Sequence, residues 1–222
     1  MGALADRGRP TTELLVVSGA PLWLLPDGGP TPTRTAGLVT ALAARFSVRV
    51  LAPVEGPLPG GAAFDLDDLP DEEPVARLVA VLNPQSRRGR ALLGPRRSQA
   101  LLRVVADHRP LAVLFVGGYL AAAAPTIERP IFVDFPELTV RRRRPSPPGA
   151  ALESAKARWW EPVEARRAVA VSATTPDDVE LLASWGARAV LVPDASSPST
   201  WVQASAPLAD AIETVVRTQV TG

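Results

Sequence analysis

Arg167-Ala-Val-Ala-Val-Ser-Ala-Thr-Thr-Pro-Asp-Asp-Val-Glu-Leu-Leu-Ala-Ser-Trp-Gly-Ala-Arg-Ala-Val-Leu-Val-Pro193 holds a complete strand–helix–strand unit. Ala168 to Ser172 and Ala189 to Pro193 are short runs rich in Val and Ala with almost no polar interruption. Such runs fit strands covered on both faces, as in a parallel sheet, rather than the alternating strands of a half-wet sheet. Between them, Thr175 is an N-cap residue and Pro176 is preset for the first helical position. Gly186, directly after Trp185, supplies the left-handed residue that ends a helix. A strand returning parallel through a helix is a right-handed crossover.

The same alternation extends back to the start of the chain. Leu14–Ser18, Val48–Ala52, Ala76–Leu82, Leu111–Val116 and Ile131–Asp134 read as further strands. Helical spacing marks Thr35–Phe46, where Leu38, Val39, Leu42 and Phe46 share a face, and Ser98–His108. Ala150–Arg167 is a long helix, and Leu208–Val220 a closing amphipathic one. The predicted fold class is therefore α/β: a Rossmann-like, doubly wound, mainly parallel seven-stranded sheet with helices on both faces. Ligands of such sheets bind beyond the carboxyl ends of the strands. Residues 1–11 read as a flexible tail, 12–195 as the domain, 196–207 as a Ser/Pro/Ala-rich linker, and 208–222 as the closing helix. Two charged clusters, Asp65 to Glu73 and Arg141 to Arg144, read as solvated loops.

Composition excludes several chemistries. The 222 residues carry 24 Lys+Arg against 23 Asp+Glu, so no polyelectrolyte character points to nucleic acid. There is no Cys, which removes disulfides, thiolate metal sites and a cysteine nucleophile. His108 is the single His, so no multi-histidine metal site is expected, and Lys156 is the single Lys. No apolar stretch reaches the roughly 20 residues of a membrane span, and no signal pattern opens the chain. A cytoplasmic protein is the expectation. Neither G-x-G-x-x-G nor a P-loop is present, so neither a dinucleotide cofactor nor a metal is expected.

The order of elements resembles the N-terminal domain of GT-B glycosyltransferases of the retaining, family-four-like group. Ser18-Gly-Ala-Pro-Leu-Trp-Leu-Leu-Pro-Asp-Gly-Gly29, followed by a helix and by Val48-Arg-Val-Leu-Ala-Pro53, is similar to that group's opening strand, Gly-Gly loop and second strand. Glu161 to Leu182 resembles the basic helix, "Ala-Val-x-Val-Ser" strand and acidic helix that end the domain. Gly186-Ala-Arg-Ala-Val-Leu-Val-Pro-Asp194 resembles the strand that hands the chain to the second domain. The likeness covers residues 12 to about 195. This sequence departs from the pattern at Asp194-Ala195, where the group has Asn-Gly. It departs again in the loops Phe115-Val-Gly-Gly-Tyr119 and Asp134-Phe-Pro-Glu137, which lack the group's His.

The resemblance implies an acceptor-binding domain for sugar transfer from a nucleotide-sugar, its donor-binding domain absent from these residues. By that reading Gly28, Gly29, Gly117, Gly118 and Tyr119 bind substrate. Gly-Gly backbone can approach an oxyanion and Tyr119 can stack on a sugar. Asp134 and Glu137, at the end of the fifth strand, would orient an acceptor hydroxyl or serve as base. Each has a structural alternative: a turn, a close-packed helix start, a capping pair. Glu153 and Glu161 match the group's E-x7-E spacing but sit about 12 Å apart along a helix, too far for a carboxylate pair. The expected partners are a sugar acceptor, lipid-linked in some such enzymes, and a partner chain or second copy. Peripheral membrane contact would run through Arg141, Arg142, Arg143, Arg144, Trp159 and Trp160. The alternative function is a non-catalytic, degenerate transferase-like module for binding or dimerisation.

Overall fold

The computed structural model describes residues 13–19, 34–53, 64–71, 93–141 and 150–221. In chain order they form β1 (Leu14–Ser18), α1 (Arg34–Ala43), β2 (Val48–Ala52), β3 (Phe64–Asp68), α2 (Pro95–His108), β4 (Ala112–Val116) and α3 (Gly118–Ala123). There follow β5 (Ile131–Phe135), a 3-10 turn (Thr139–Arg141), α4 (Ala150–Arg167), β6 (Ala170–Ala173), α5 (Pro176–Ser184), β7 (Ala189–Leu191) and α6 (Pro198–Thr221). The seven strands form one sheet in the order β3-β2-β1-β4-β5-β6-β7, with every pairing parallel. The order reverses between β1 and β4, where a doubly wound sheet opens its crevice.

Strand side chains alternate between two cores. Leu15, Val17, Phe115, Val133 and Val171 face a layer built from α2, α3, α4 and α5. Leu14, Val16, Leu114, Phe132 and Ala170 face the other, built from α1 and α6. Both faces are therefore dry, which is why the central strands are apolar at almost every position. Each fully buried Leu or Phe contributes about 1.5–3 kcal/mol. The capping signals hold: the Thr175 hydroxyl accepts from the Asp178 amide at 3.2 Å, and Gly186 has φ of +86°.

Two expectations are corrected. The acidic stretch is not a loop throughout, since residues 64–68 are the edge strand β3. Its alternation is of period two: Phe64 and Leu66 pack on the α1/α6 core, while Asp65 and Asp67 point the other way. There Arg49 of β2 binds Asp65 at 2.8 Å and Asp67 at 3.1 Å. An acidic strand pairs stably because its neighbour supplies the cation, and its charges blunt an exposed edge. The strand expected at Ala76–Leu82 lies outside the described residues.

The segment read as linker is the second correction, because α6 begins at Pro198. The Ser197 hydroxyl accepts from the Thr200 amide at 3.3 Å, and Pro198 takes the first helical position. Pro207 lies inside the helix, at a cost of about 3 kcal/mol. Burial of Trp201, Leu208 and Ile212 against α1 and the sheet offsets it. Gly37 makes the contact close: a Cβ there would lie 2.2 Å from the Trp201 ring. At the far end of α1, Arg45 bridges Asp210 and Glu213 of α6. The hydrogen bond from Arg45 is the main cause holding the Glu213 carboxyl below its ordinary range.

Candidate functional site

Register sets a row of residues along the carboxyl edge of the sheet. Ser18 lies level with Val116, Val116 with Asp134, and Asp134 with Ser172. Asp134 is fully buried and accepts the Ser172 hydroxyl at 2.6 Å. Its main partner comes from elsewhere. Arg34, the first residue of α1, donates Nε to one carboxylate oxygen at 2.8 Å and a terminal nitrogen to the other at 2.7 Å. The remaining arm of the guanidinium donates to Asp194, beyond β7, at 2.9 Å. The Trp201 ring lies 5.9 Å away on the α6 side, within cation–π range.

One guanidinium thus joins four places: the start of α1, the tips of β5 and β6, and the crossing from β7 to α6. Burial works to lower the Arg34 pKa. The hydrogen bond and charge of Asp134, followed by those of Asp194, outweigh it and hold the pKa above its ordinary value. A cation in the first turn of a helix opposes the helix dipole, so Arg34 is placed there for its two acids rather than for the helix. Asp194 is 64% exposed at its side chain, so one side of the cluster is wet. Beside it runs a shallow groove of about 640 Å³, lined by Asp194, Ser196, Thr200 and Gln203 among others.

The expected site residues fall in three groups. Gly28 and Gly29 lie outside the described residues. Gly117, Gly118 and Tyr119 do sit at the end of β4, but their local geometry is that of a tight helix start. Gly117 has φ of +108° and donates its amide to the Asp134 carbonyl at 2.8 Å. A Cβ on Gly118 would lie 2.0 Å from the Phe135 ring, and one on Gly117 2.6 Å from the ring of Tyr119. Both glycines are required by close packing, and Tyr119 folds back over the first of them. Asp134 and Glu137 stand at the edge with different exposure: Asp134 is fully buried with both oxygens bound by Arg34, and Glu137 is exposed on the turn after β5.

That turn is pinned on both sides of Glu137. The Thr174 hydroxyl donates to the Pro136 carbonyl at 2.8 Å, and the buried Glu161 accepts the Thr139 amide at 2.6 Å and the Val140 amide at 3.3 Å. Glu161 therefore anchors a backbone turn. Trp160 is only 3% exposed and belongs to the core, while Trp159 is 60% exposed. Of the expected membrane residues, Arg142, Arg143 and Arg144 lie outside the described residues. His108 is half-buried at the end of α2. Among the described residues, no group of three or more His, Asp or Glu is placed to hold a metal ion, and no helix is long and apolar enough to cross a membrane.

Arg34 and Ser172 were not singled out by sequence reasoning. The usable signal was an arginine at the wrong end of a helix. Its partners lie 100 and 160 positions away, beyond any local pattern.

These features define a Rossmann-like α/β domain of GT-B-like form. The domain is similar to sucrose-phosphate synthase (tll1590) from Thermosynechococcus elongatus: TM-score 0.55 at 12% identity, covering 82% of this chain and 48% of that one. A form of the same enzyme designated 27_220_406_426 gives TM-score 0.55 at 11% identity, over 93% of this chain and 99% of that one. UDP-GlcNAc 2-epimerase from Neisseria meningitidis gives 0.49 at 17% identity, over 93% and 51%. The chain thus spans about half the length of the sucrose-phosphate synthase it matches. At these identities the likeness is one of fold. No family model and no curated protein sequence matches the chain.

Proposed function

We propose that this domain is the acceptor-binding half of a glycosyltransferase of the retaining, family-four-like group. It would transfer a sugar from a nucleotide-sugar, with the donor-binding unit outside these 222 residues. The carrying observation is the carboxyl-edge cluster, where Arg34 locks Asp134 and Asp194 into a rigid rim on one side of the expected cleft. Likeness in fold to a sucrose-phosphate synthase, and in particular to its form 27_220_406_426, supports the same reading.

Within it the two acids have separate roles. Asp134 is a positioning residue: with both oxygens occupied, it fixes Arg34 and the tips of β5 and β6. Glu137, on its pinned turn, faces solvent and orients an acceptor hydroxyl. Tyr119 and the Gly117–Gly118 backbone, at the end of the neighbouring strand β4, would contact the same acceptor.

Calorimetry on the purified chain tests the proposal. Sugars and sugar phosphates should bind, and Glu137→Gln should weaken them while leaving the melting curve unchanged. Nucleotide-sugars should not bind in the micromolar range, and the chain alone should show no turnover. Sugar transfer by these residues alone, or tight nucleotide-sugar binding, would overturn the half-site reading. A stable dimer that buries the Gly117 edge and binds no sugar would favour a non-catalytic module instead.

A further inference from the structure

The helix α4 packs its inner face against α3 and β5. That face buries Ala157, Trp160, Glu161, Glu164 and Ala165. On the opposite side, at 3.6 residues per turn, Leu152, Trp159 and Val163 fall on one line about 16 Å long. They are 52%, 60% and 38% exposed. Three large apolar side chains in a row on the wet face of a helix are not explained by the fold.

The charges of α4 are sorted in the same way. Glu161 turns inward to the 3-10 turn, and Glu164 is buried beside Arg167 at 3.3 Å. Burial is the main cause raising the Glu164 pKa above its ordinary value, with Arg167 opposing it. Arg166 and Arg167 are exposed next to the apolar line, and Lys156 is half-exposed within it. Among the described side chains of α4, the outward face is therefore basic and apolar, with its acids hidden.

We infer that the outer face of α4 docks on an anionic phospholipid surface, with Leu152, Trp159 and Val163 at the headgroup boundary and Arg166, Arg167 and Lys156 on lipid phosphates. A Trp ring on a basic helix face is suited to that boundary, apolar in body and polar at one edge. A second copy of the chain is a poor occupant. A two-fold contact would set this basic face against itself, and like charges across an interface cost several kcal/mol. Three apolar side chains also fall well short of the roughly 800 Å² per partner that a stable dimer buries. Docking of this face does not depend on the reaction catalysed.

Co-sedimentation of the full chain tests it, using vesicles of equal parts phosphatidylglycerol and phosphatidylcholine, with phosphatidylcholine alone as the neutral comparison. Binding should be confined to the anionic vesicles and should weaken with added salt. Trp159→Ala should weaken it about tenfold, through lost apolar area. Arg166→Gln should weaken it about fivefold, as expected for one basic residue at a charged bilayer. Val202→Ala trims an exposed apolar side chain of α6, on the other side of the sheet, and should change nothing. Thermal melts establish that each variant is folded, and Arg166→Gln carries the test if Trp159→Ala is not. Equal binding to neutral vesicles, or no binding to either kind, would overturn the inference. So would an equal loss with Val202→Ala, or a dimer in light scattering that Trp159→Ala dissociates.

Discussion

Replacing Asp134 by Asn removes one charge from the centre of the cluster and almost no volume. Arg34 donates to both carboxylate oxygens, and Ser172 donates to the one that already takes the Arg34 terminal nitrogen. An amide has one acceptor and one donor end, so one Arg34 N–H must face an NH2 group in either orientation. The better orientation keeps the oxygen toward Ser172 and forfeits the bond from Nε. The guanidinium then keeps one bond to the neutral amide oxygen, and of its two acids only Asp194 remains, which is 64% exposed and screened by water. Breaking a buried pair from one side costs about 3–5 kcal/mol, and the surviving partner puts this case near the lower end, about 3 kcal/mol. For a chain of this size, that corresponds to a fall in Tm of about 6–12 °C. Circular dichroism melts measure it, and a cycle with Arg34→Met separates the pair from its surroundings. The two changes should couple by about 2 kcal/mol, because the double variant leaves no stranded cation. A Tm for Asp134→Asn within about 2 °C of the parent, or strictly additive effects, would refute the clamp.

Two further perturbations probe other parts of the molecule. Gly37→Ala puts a Cβ within 2.2 Å of the Trp201 ring, so α1 and α6 must separate; denaturant titration should show a loss of about 2–3 kcal/mol. Glu164→Gln tests the raised carboxyl on α4. The native state holds the Glu164 proton more tightly than the unfolded chain does. Its contribution is therefore favourable at low pH and is lost as pH rises from the ordinary 4.5 through the raised native value. The Gln variant should match the parent below that window and exceed it in stability above. A variant less stable than the parent at neutral pH would show that the ion pair with Arg167 outweighs burial.

Much of the architecture was legible because it was local. β1, β2 and β4 to β6 are runs of apolar residues whose burial on both faces needs no knowledge of their neighbours, while β7, equally apolar, is an edge strand that stays partly exposed. The N-cap Thr175, the first-turn Pro176 and the helix-ending Gly186 act within four residues of their own backbone. The errors have the opposite origin. Phe64–Asp68 looks like a loop until Arg49 is set beside it, and 196–207 looks like a linker until Trp201 meets Gly37. Local propensity disfavours both elements, and contacts distant in sequence reverse the balance.

The site divides along the same line. Asp134 and Glu137 could be named from sequence, since a carboxylate at the tip of a buried strand stands at the edge where such sheets bind ligands. Their unequal states could not, because only the folded chain brings Arg34 to Asp134 and Asp194 and leaves Glu137 facing water. The six apolar strands, their parallel class and the helix ends follow from side chains that interact with their own segment. The acidic edge strand, the Arg34 clamp and the basic outer face of α4 follow from which segments become neighbours, and that is decided by packing across the whole sheet.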